Sequence, residues 1–303
     1  MQTAELAKQL AGDLDRDGLV RLPALVSPDQ LAAMQRAFSS VLERQRWNDF
    51  DGYEKTERLR HMVQNVLTLE QGFVDIAIHP LVKDILHRYI GGRFELVEAK
   101  GWKSLPTRKD FHGWHGDAWY DQTKAKDIPR EVKLGLYLTD VKSGAFNYII
   151  GTHRQQAPHP LRDDEVNGLP RDRVVEVLGQ GGSGFLFDTS GVHRQAMPIL
   201  EDRQAVFYNY HDPSVALQPE DLDYYRYHPL ILNAAFLGNL SDDDRQILGF
   251  GNKSNYVPAF QRRPRHELFQ RVVRTAYETK LVTDELAQRL TARARRTFGL
   301  GKR

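Results

Sequence analysis

Apolar and polar positions follow two different periods along this chain. Residues 3–14 place apolar side chains at helical spacing and predict a short amphipathic helix. Leu19, Val20 and Leu22 around Arg21 predict a strand. The segment Ser27-Pro28-Asp29-Gln30 offers an N-cap serine, a proline suited to the first turn and a glutamine at the capping-box position, so a helix begins there and is expected to reach about Arg46. Residues 47–61 are polar and irregular. Helical spacing returns over residues 70–90 with a break near His79-Pro80, because the residue before a proline avoids the helical region. Gly91-Gly92 ends that helix.

From Phe94 the period shortens to two. Residues 94–102, 133–141, 146–150, 174–178, 184–188 and 205–211 read as short strands, with Ser143-Gly144 and the run 179–182 as turns. No crossover helices separate them, which argues against a Rossmann-type sheet. The expectation is a mainly β fold with flanking helices, a sandwich or jelly roll. The chain turns helical again near Ser241. A last helix starts at Thr283-Asp284-Glu285, carries Leu286, Leu290, Ala294 and Phe298 on one packed face, and ends at Gly299. We expect one domain over residues 1–303. It has a helical flank over about 1–92, a β core over about 93–212 and a helical extension over about 213–303.

Composition narrows the chemistry. The chain has no cysteine, which excludes disulfides, zinc ribbons, iron–sulfur clusters and thiol nucleophiles. The first residues carry recurring charges without an apolar signal region, and no apolar run reaches 18 residues, so a soluble, cytoplasmic protein is expected. Net charge is +2, but residues 262–303 hold 12 Lys/Arg against 4 Asp/Glu, a balance of +8 that leaves −6 for the rest. The basic residues read as the solvated face of a packed helix. Neither nucleic acid nor a membrane is expected as a partner, and monomer and homodimer both stay open.

The chemistry centres on residues 111–120, FHGWHGDAWY. His115 and Asp117 are two apart, so on extended chain they face one side and can grip one ion. A third ligand must come from elsewhere, and the candidate block is GFLFDTSGVHRQ (184–195), where an apolar strand leads through a polar turn to His193. Two His and one carboxylate leave open positions on a metal, as expected of non-haem iron(II) oxygenases. Arg203 lies ten residues after His193 at the start of a strand, where its guanidinium could clamp the far carboxylate of a 2-oxo acid. With 25 Asp and 11 His in 303 residues, a chance His-x-Asp is expected roughly once, so the signal lies in its order and context.

These segments resemble the phytanoyl-CoA dioxygenase family of iron(II)- and 2-oxoglutarate-dependent oxygenases. The resemblance covers most of residues 13–212: DRDGLVRLPALVSPDQL, FVDIAIHPLVKDILHRYIGG, WHGD, LGLYLTDVKSGAFNYIIGTHR and GFLFDTSGVHRQAMPILEDRQAVFYNY. It implies a double-stranded β-helix, iron(II) at His115, Asp117 and His193, 2-oxoglutarate at Arg203, and dioxygen as co-substrate. Related halogenases replace the carboxylate ligand with a small residue; Asp117 is present here, so hydroxylation of a small, polar organic molecule is expected. Some members carry a serine two residues after the distal histidine, where this chain has Gln195.

Other residues have two readings each. Lys103 and Trp102 lie on the strand leading to the site, and either could touch the co-substrate. The Tyr137 hydroxyl could bind the 2-oxoglutarate carboxylate or be a buried structural group. His112, Trp114, Trp119 and Tyr120 flank the ligand pair and could line a substrate pocket or simply pack. His153 reads as structural, and Asp188 and Thr189 as shaping the turn before His193. Two other functions remain open: a cupin-like zinc hydrolase or isomerase using the same three ligands, and a ligand-binding module on the same fold.

Overall fold

The computed structural model describes residues 2–43, 59–110, 113–117, 130–155, 159, 161–213 and 230–250, with Val272, Thr275, Ala276, Thr279, Thr283, Leu286, Ala287 and Leu290 beyond them. The chain divides into two compact units, Met1–Asn255 and Tyr256–Arg303.

The first unit opens with helix α1 (Gln2–Asp17) and strand β1 (Leu19–Leu22). Helix α2 (Pro28–Leu42) starts as its sequence dictates: the Ser27 hydroxyl accepts from the Gln30 N–H at 3.2 Å, and Pro28 occupies the first turn. Strand β2 (Arg60–Val63) follows, then helices α3 (Gln71–Ala77) and α4 (Pro80–Ile90), broken at Ile78-His79 ahead of Pro80. Helix α4 ends on Gly91, whose φ of +81° is the left-handed cap that glycine adopts without a Cβ penalty. Strands β3 (Glu95–Ser104), β4 (Val132–Tyr137) and β5 (Val141–Ile149) precede helix α5 (Asp163–Asn167). Strands β6 (Val174–Gly179), β7 (Gly184–Asp188), β8 (His193–Gln195) and β9 (Arg203–His211), and helix α6 (Asp242–Ile247), complete it.

All pairings are antiparallel and form two sheets. Six strands run β1-β7-β4-β9-β3-β2, and three run β6-β5-β8. This is the jelly roll expected from the short-strand pattern, and the double-stranded β-helix that the family resemblance implies. Alternation divides the large sheet into two faces. Leu134, Leu136, Leu186, Val206, Tyr208 and Tyr210 face outward, into one core with Leu10 and Leu14 of α1, Met34 and Phe38 of α2, and Ile85 and Leu86 of α4. The inner face carries Tyr137, Phe185, Phe187 and Ala205, which meet Phe146 and Tyr148 of the small sheet. Gly101 of β3 makes room for α2, since a Cβ there would lie 2.3 Å from the Phe38 ring.

The structure departs from the sequence pattern in four places. Strand β2 begins inside the stretch that reads as irregular. Strand β5 starts at Val141 rather than Phe146, passing Gly144 at φ +60°. Strands β1 and β2, outside the expected core boundaries, form both edges of the large sheet. Leu286 and Leu290, expected on a packed helix face, are 53% and 65% exposed. Ala294 and Phe298 lie outside the described residues, as does Arg46. Among the described residues no helix is long and apolar enough to cross a membrane.

Candidate metal and co-substrate site

His115 and His193 are brought together by backbone pairing. The His115 N–H donates to the His193 carbonyl at 3.0 Å, the reverse bond is 2.8 Å, and the Asp117 N–H donates to the Thr189 carbonyl at 2.8 Å. Segment 113–117 is therefore stitched along segment 189–193, and the three side chains converge. One ligand atom from each lies within 4.8 Å of the others. The Asp117 carboxylate stands 3.6 Å from His115 Nε2 and 3.5 Å from His193 Nε2.

The tautomers follow from the hydrogen bonds. His115 Nδ1 lies 3.0 Å from the Gly113 carbonyl, and His193 Nδ1 lies 2.8 Å from the Gly191 carbonyl. A carbonyl can only accept, so each Nδ1 carries the proton and each Nε2 presents a lone pair. Two imidazole lone pairs and a carboxylate oxygen pointing at a common space are the donor set for a divalent cation. Burial and the adjacent His193 lower the proton affinity of His115, which keeps it available as a ligand.

Asp117 has a second partner. Lys133 of β4 donates to its Oδ2 at 2.5 Å. Burial raises the Asp117 carboxyl, but Lys133, followed by the imidazoles, outweighs it and holds the group well below the usual carboxylate range. Burial likewise opposes the charge on Lys133, and Asp117 and Glu98 more than offset this.

The turn that delivers His193 is anchored from behind. The Asp188 carboxylate is buried; it accepts from the Tyr89 hydroxyl at 2.6 Å and from the Ser190 N–H at 2.9 Å. The Tyr148 hydroxyl donates to the Asp188 carbonyl at 2.9 Å. Position 191 has to be glycine, since a Cβ there would fall 1.9 Å from the Tyr148 hydroxyl oxygen. Thr189 bonds back to Glu131. His153 donates from Nε2 to the Asp15 carbonyl, which ties α1 to the sheet as a structural histidine would. Tyr89→Phe should lower unfolding stability by about 1–3 kcal/mol, the cost of leaving a buried acceptor short of a donor. Urea unfolding measures this; a shift below 0.5 kcal/mol would show that the bond does not anchor the turn.

A cavity of about 340 Å³ contains the three donors and Arg203. Arg203 is 5% exposed, donates from Nη1 to the Gly144 carbonyl at 2.6 Å and lies 5.2 Å over the Tyr137 ring. Its Nε is buried without a partner, and among the described residues no carboxylate reaches it. Burial lowers its proton affinity, with Tyr137 opposing. A buried guanidinium in this state suits an incoming carboxylate. Gln195 also lines the cavity, with Oε1 accepting from Ser104 and Nε2 unpartnered.

The remaining sequence candidates divide. Trp102 lines the cavity. Lys103 is on the opposite face of β3 and pairs with Asp202 at 2.8 Å. Tyr137 presents its ring to Arg203, while its hydroxyl donates to the Val177 carbonyl and accepts from the Phe146 N–H. Trp114 packs with Ile149, Val166 and Val192, its indole N–H donating to Asp163 at 3.0 Å and Arg194 stacked on its face. His112, Trp119 and Tyr120 lie outside the described residues. The sequence reading missed Lys133, Glu98, Lys100 and Glu131, all on the cavity wall. Alternation along residues 133–137 was the available signal: it sets Lys133 opposite to Leu134 and Leu136.

Solved structures share this architecture. EctD from S. alaskensis, with 2-oxoglutarate and 5-hydroxyectoine, superposes with a TM-score of 0.56 at 18% identity, covering 69% of this chain and 77% of that one. The non-heme alpha-ketoglutarate-dependent carbocyclase SnoK from nogalamycin biosynthesis gives 0.54 at 20% identity, covering 72% and 88%. The epimerase SnoN in complex with Fe3+, alpha-ketoglutarate and nogalamycin RO gives 0.53 at 18%, covering 79% and 93%. At these identities the likeness establishes the fold. Among curated proteins, no sequence is similar enough to match. The sequence profile described as phytanoyl-CoA dioxygenase (PhyH) matches residues 14–195, from the end of α1 through the distal histidine and more than half of the chain. The chain therefore belongs to the phytanoyl-CoA dioxygenase family of iron(II)- and 2-oxoglutarate-dependent enzymes.

Proposed function

We propose that this protein is an iron(II)- and 2-oxoglutarate-dependent oxygenase that hydroxylates a small, polar organic molecule. The observation that carries this reading is a single cavity holding both His115, Asp117 and His193 and a buried Arg203 without a carboxylate partner. The donor set suits iron(II), although imidazole and carboxylate ligands do not select iron by affinity alone. When bound, iron(II) supplies the oxidative chemistry: dioxygen converts 2-oxoglutarate to succinate and carbon dioxide, one oxygen atom entering succinate and the other a substrate C–H bond.

The chain's residues do the binding and positioning. His115, Asp117 and His193 would hold one face of the ion. Arg203 would fix the far carboxylate of 2-oxoglutarate through two parallel N–H donors, with the Tyr137 ring beneath it. Gln195 Nε2 is a further donor in the same cavity. Phe146 and Phe187 stand beside the His193 ring, at centroid distances of 5.4 and 5.0 Å, and keep water from that side of the site. Asp117 fills the protein carboxylate position, which supports hydroxylation rather than halogenation.

The test is aerobic turnover with iron(II), 2-oxoglutarate and a substrate library, with succinate measured by mass spectrometry. Succinate should form slowly alone and faster with a substrate, and oxygen-18 gas should label the product. Turnover without oxygen, or with zinc replacing iron, would instead establish a hydrolase or isomerase.

A further inference from the structure

The inner face of the large sheet carries charge in an ordered row. Strand register aligns Lys133 of β4 with Asn209 of β9 and Glu98 of β3, and the next inward row aligns Gly135, Phe207 and Lys100. Glu98 and Lys100 are two residues apart on one strand face, with Oε2 and Nζ 2.8 Å apart and side chains only 10% and 15% exposed. Glu131 joins them on the cavity wall. Arg203 is six residues from Asn209 along β9, roughly 20 Å at ~3.3 Å per residue. The cavity therefore has two ends: guanidinium groups at one, where strand pairing aligns Arg60 with Ser104 and Arg203, and a mixed-sign cluster at the other.

The charges sort by role. On the reading above, iron(II) with Asp117 and 2-oxoglutarate with Arg203 carry no net charge together. At the cluster end Glu98 and Glu131 then stand against Lys100 and Lys133, while Arg60 lies over the Trp102 ring and Arg194 is held by Asp163 at 2.6 Å. A neutral apolar substrate would press hydrocarbon on four charged groups and desolvate them without replacing their hydration. A polyanion such as a coenzyme A thioester would face two carboxylates. A molecule with one charge of each sign, set close together, satisfies both members of the Glu98–Lys100 pair. The cavity is at the small end of ligand pockets, roughly 300–1,000 Å³, and has to hold the co-substrate as well.

We propose that the primary substrate is a small zwitterion, an α-amino acid or close derivative, whose ammonium is received by Glu98 and whose carboxylate is received by Lys100. An α-ammonium and α-carboxylate are joined through one carbon, which matches the side-by-side pair on β3. The rest of the molecule then extends along the wall toward the three metal donors. This inference rests on the oxygenase reading.

The experiment uses the full chain loaded with nickel(II) and 2-oxoglutarate, with binding read by calorimetry. The titrants are the twenty standard L-amino acids, their N-acetyl and carboxamide forms, and palmitoyl-coenzyme A. At least one amino acid should bind, and blocking either charge should weaken it at least about tenfold. Glu98→Gln should remove the discrimination against the N-acetyl form, and Lys100→Met that against the carboxamide. The blocked-ligand series on the unaltered chain stands even if a variant fails to fold. Equal binding of blocked and free forms, preference for the thioester, or no binding by any amino acid at millimolar concentration would overturn the proposal. Those outcomes leave the oxygenase reading intact provided nickel(II) and 2-oxoglutarate bind; failure of these two to bind the unaltered chain would remove that reading instead.

Discussion

His193→Ala is expected to abolish metal binding, and His115→Ala and Asp117→Ala to do the same. The three donors meet within 4.8 Å, and removing any one leaves two, too few to displace the hydration of a divalent ion from one face. Loss of a group that merely orients a ligand costs about 10–100-fold in affinity, so loss of a ligand should exceed about a hundredfold. Calorimetric titration with cobalt(II) or nickel(II) measures this, with circular dichroism confirming that each variant is folded. A variant that keeps the affinity of the unaltered chain would remove that residue from the centre. Asp117→Ala has a second consequence: Lys133 loses the acceptor 2.5 Å away, so this variant should also be the least stable of the three.

Arg203→Ala should weaken 2-oxoglutarate binding about ten- to a hundredfold while leaving the metal in place. A charge-assisted contact contributes roughly 1.5–3 kcal/mol, and more where water is excluded. Arg203→Lys should recover only part of the loss, because an ammonium cannot reproduce the two parallel donors of a guanidinium. Titration of the nickel(II)-loaded variants with 2-oxoglutarate gives the dissociation constants. Unchanged affinity in the alanine variant would assign the acid to another cation on the wall. Loss of metal and co-substrate together would mean that Arg203 supports the fold through the Gly144 carbonyl rather than the ligand.

The convergence of His115, Asp117 and His193 was legible in the sequence because its signal is local: a His-x-Asp, then a strand-turn-histidine at the right distance. The same holds for α2, whose Ser27 cap uses neighbouring residues, and for the break before Pro80. What was not legible depends on partners far along the chain. Strand β2 is polar at Arg60 and His61 and becomes a strand by pairing with β3, more than 35 residues later. Lys133 reads as the polar start of a strand until Asp117 is folded against it. Lys103 and Lys100 lie on one strand, and alternation says only that they face opposite ways. Which one faces inward is fixed by the β3–β9 register and its irregularity between Leu96 and Glu98. Trp114 sits next to a ligand in sequence yet points away from the cavity, because extended chain turns successive side chains to opposite sides.

The reciprocal bonds between His115 and His193 bear on the thermodynamics of loading. The backbone that carries all three donors is already hydrogen-bonded to itself, and both imidazoles are already oriented by neighbouring carbonyls. An arriving ion therefore has few dihedrals left to freeze, and little of its binding free energy is spent on ordering the chain. Such a centre does not act as a folding staple. Chelation should extract the ion and leave amide exchange along 113–117 and 189–193 almost as slow as before, so that loading is reversible without a cycle of unfolding.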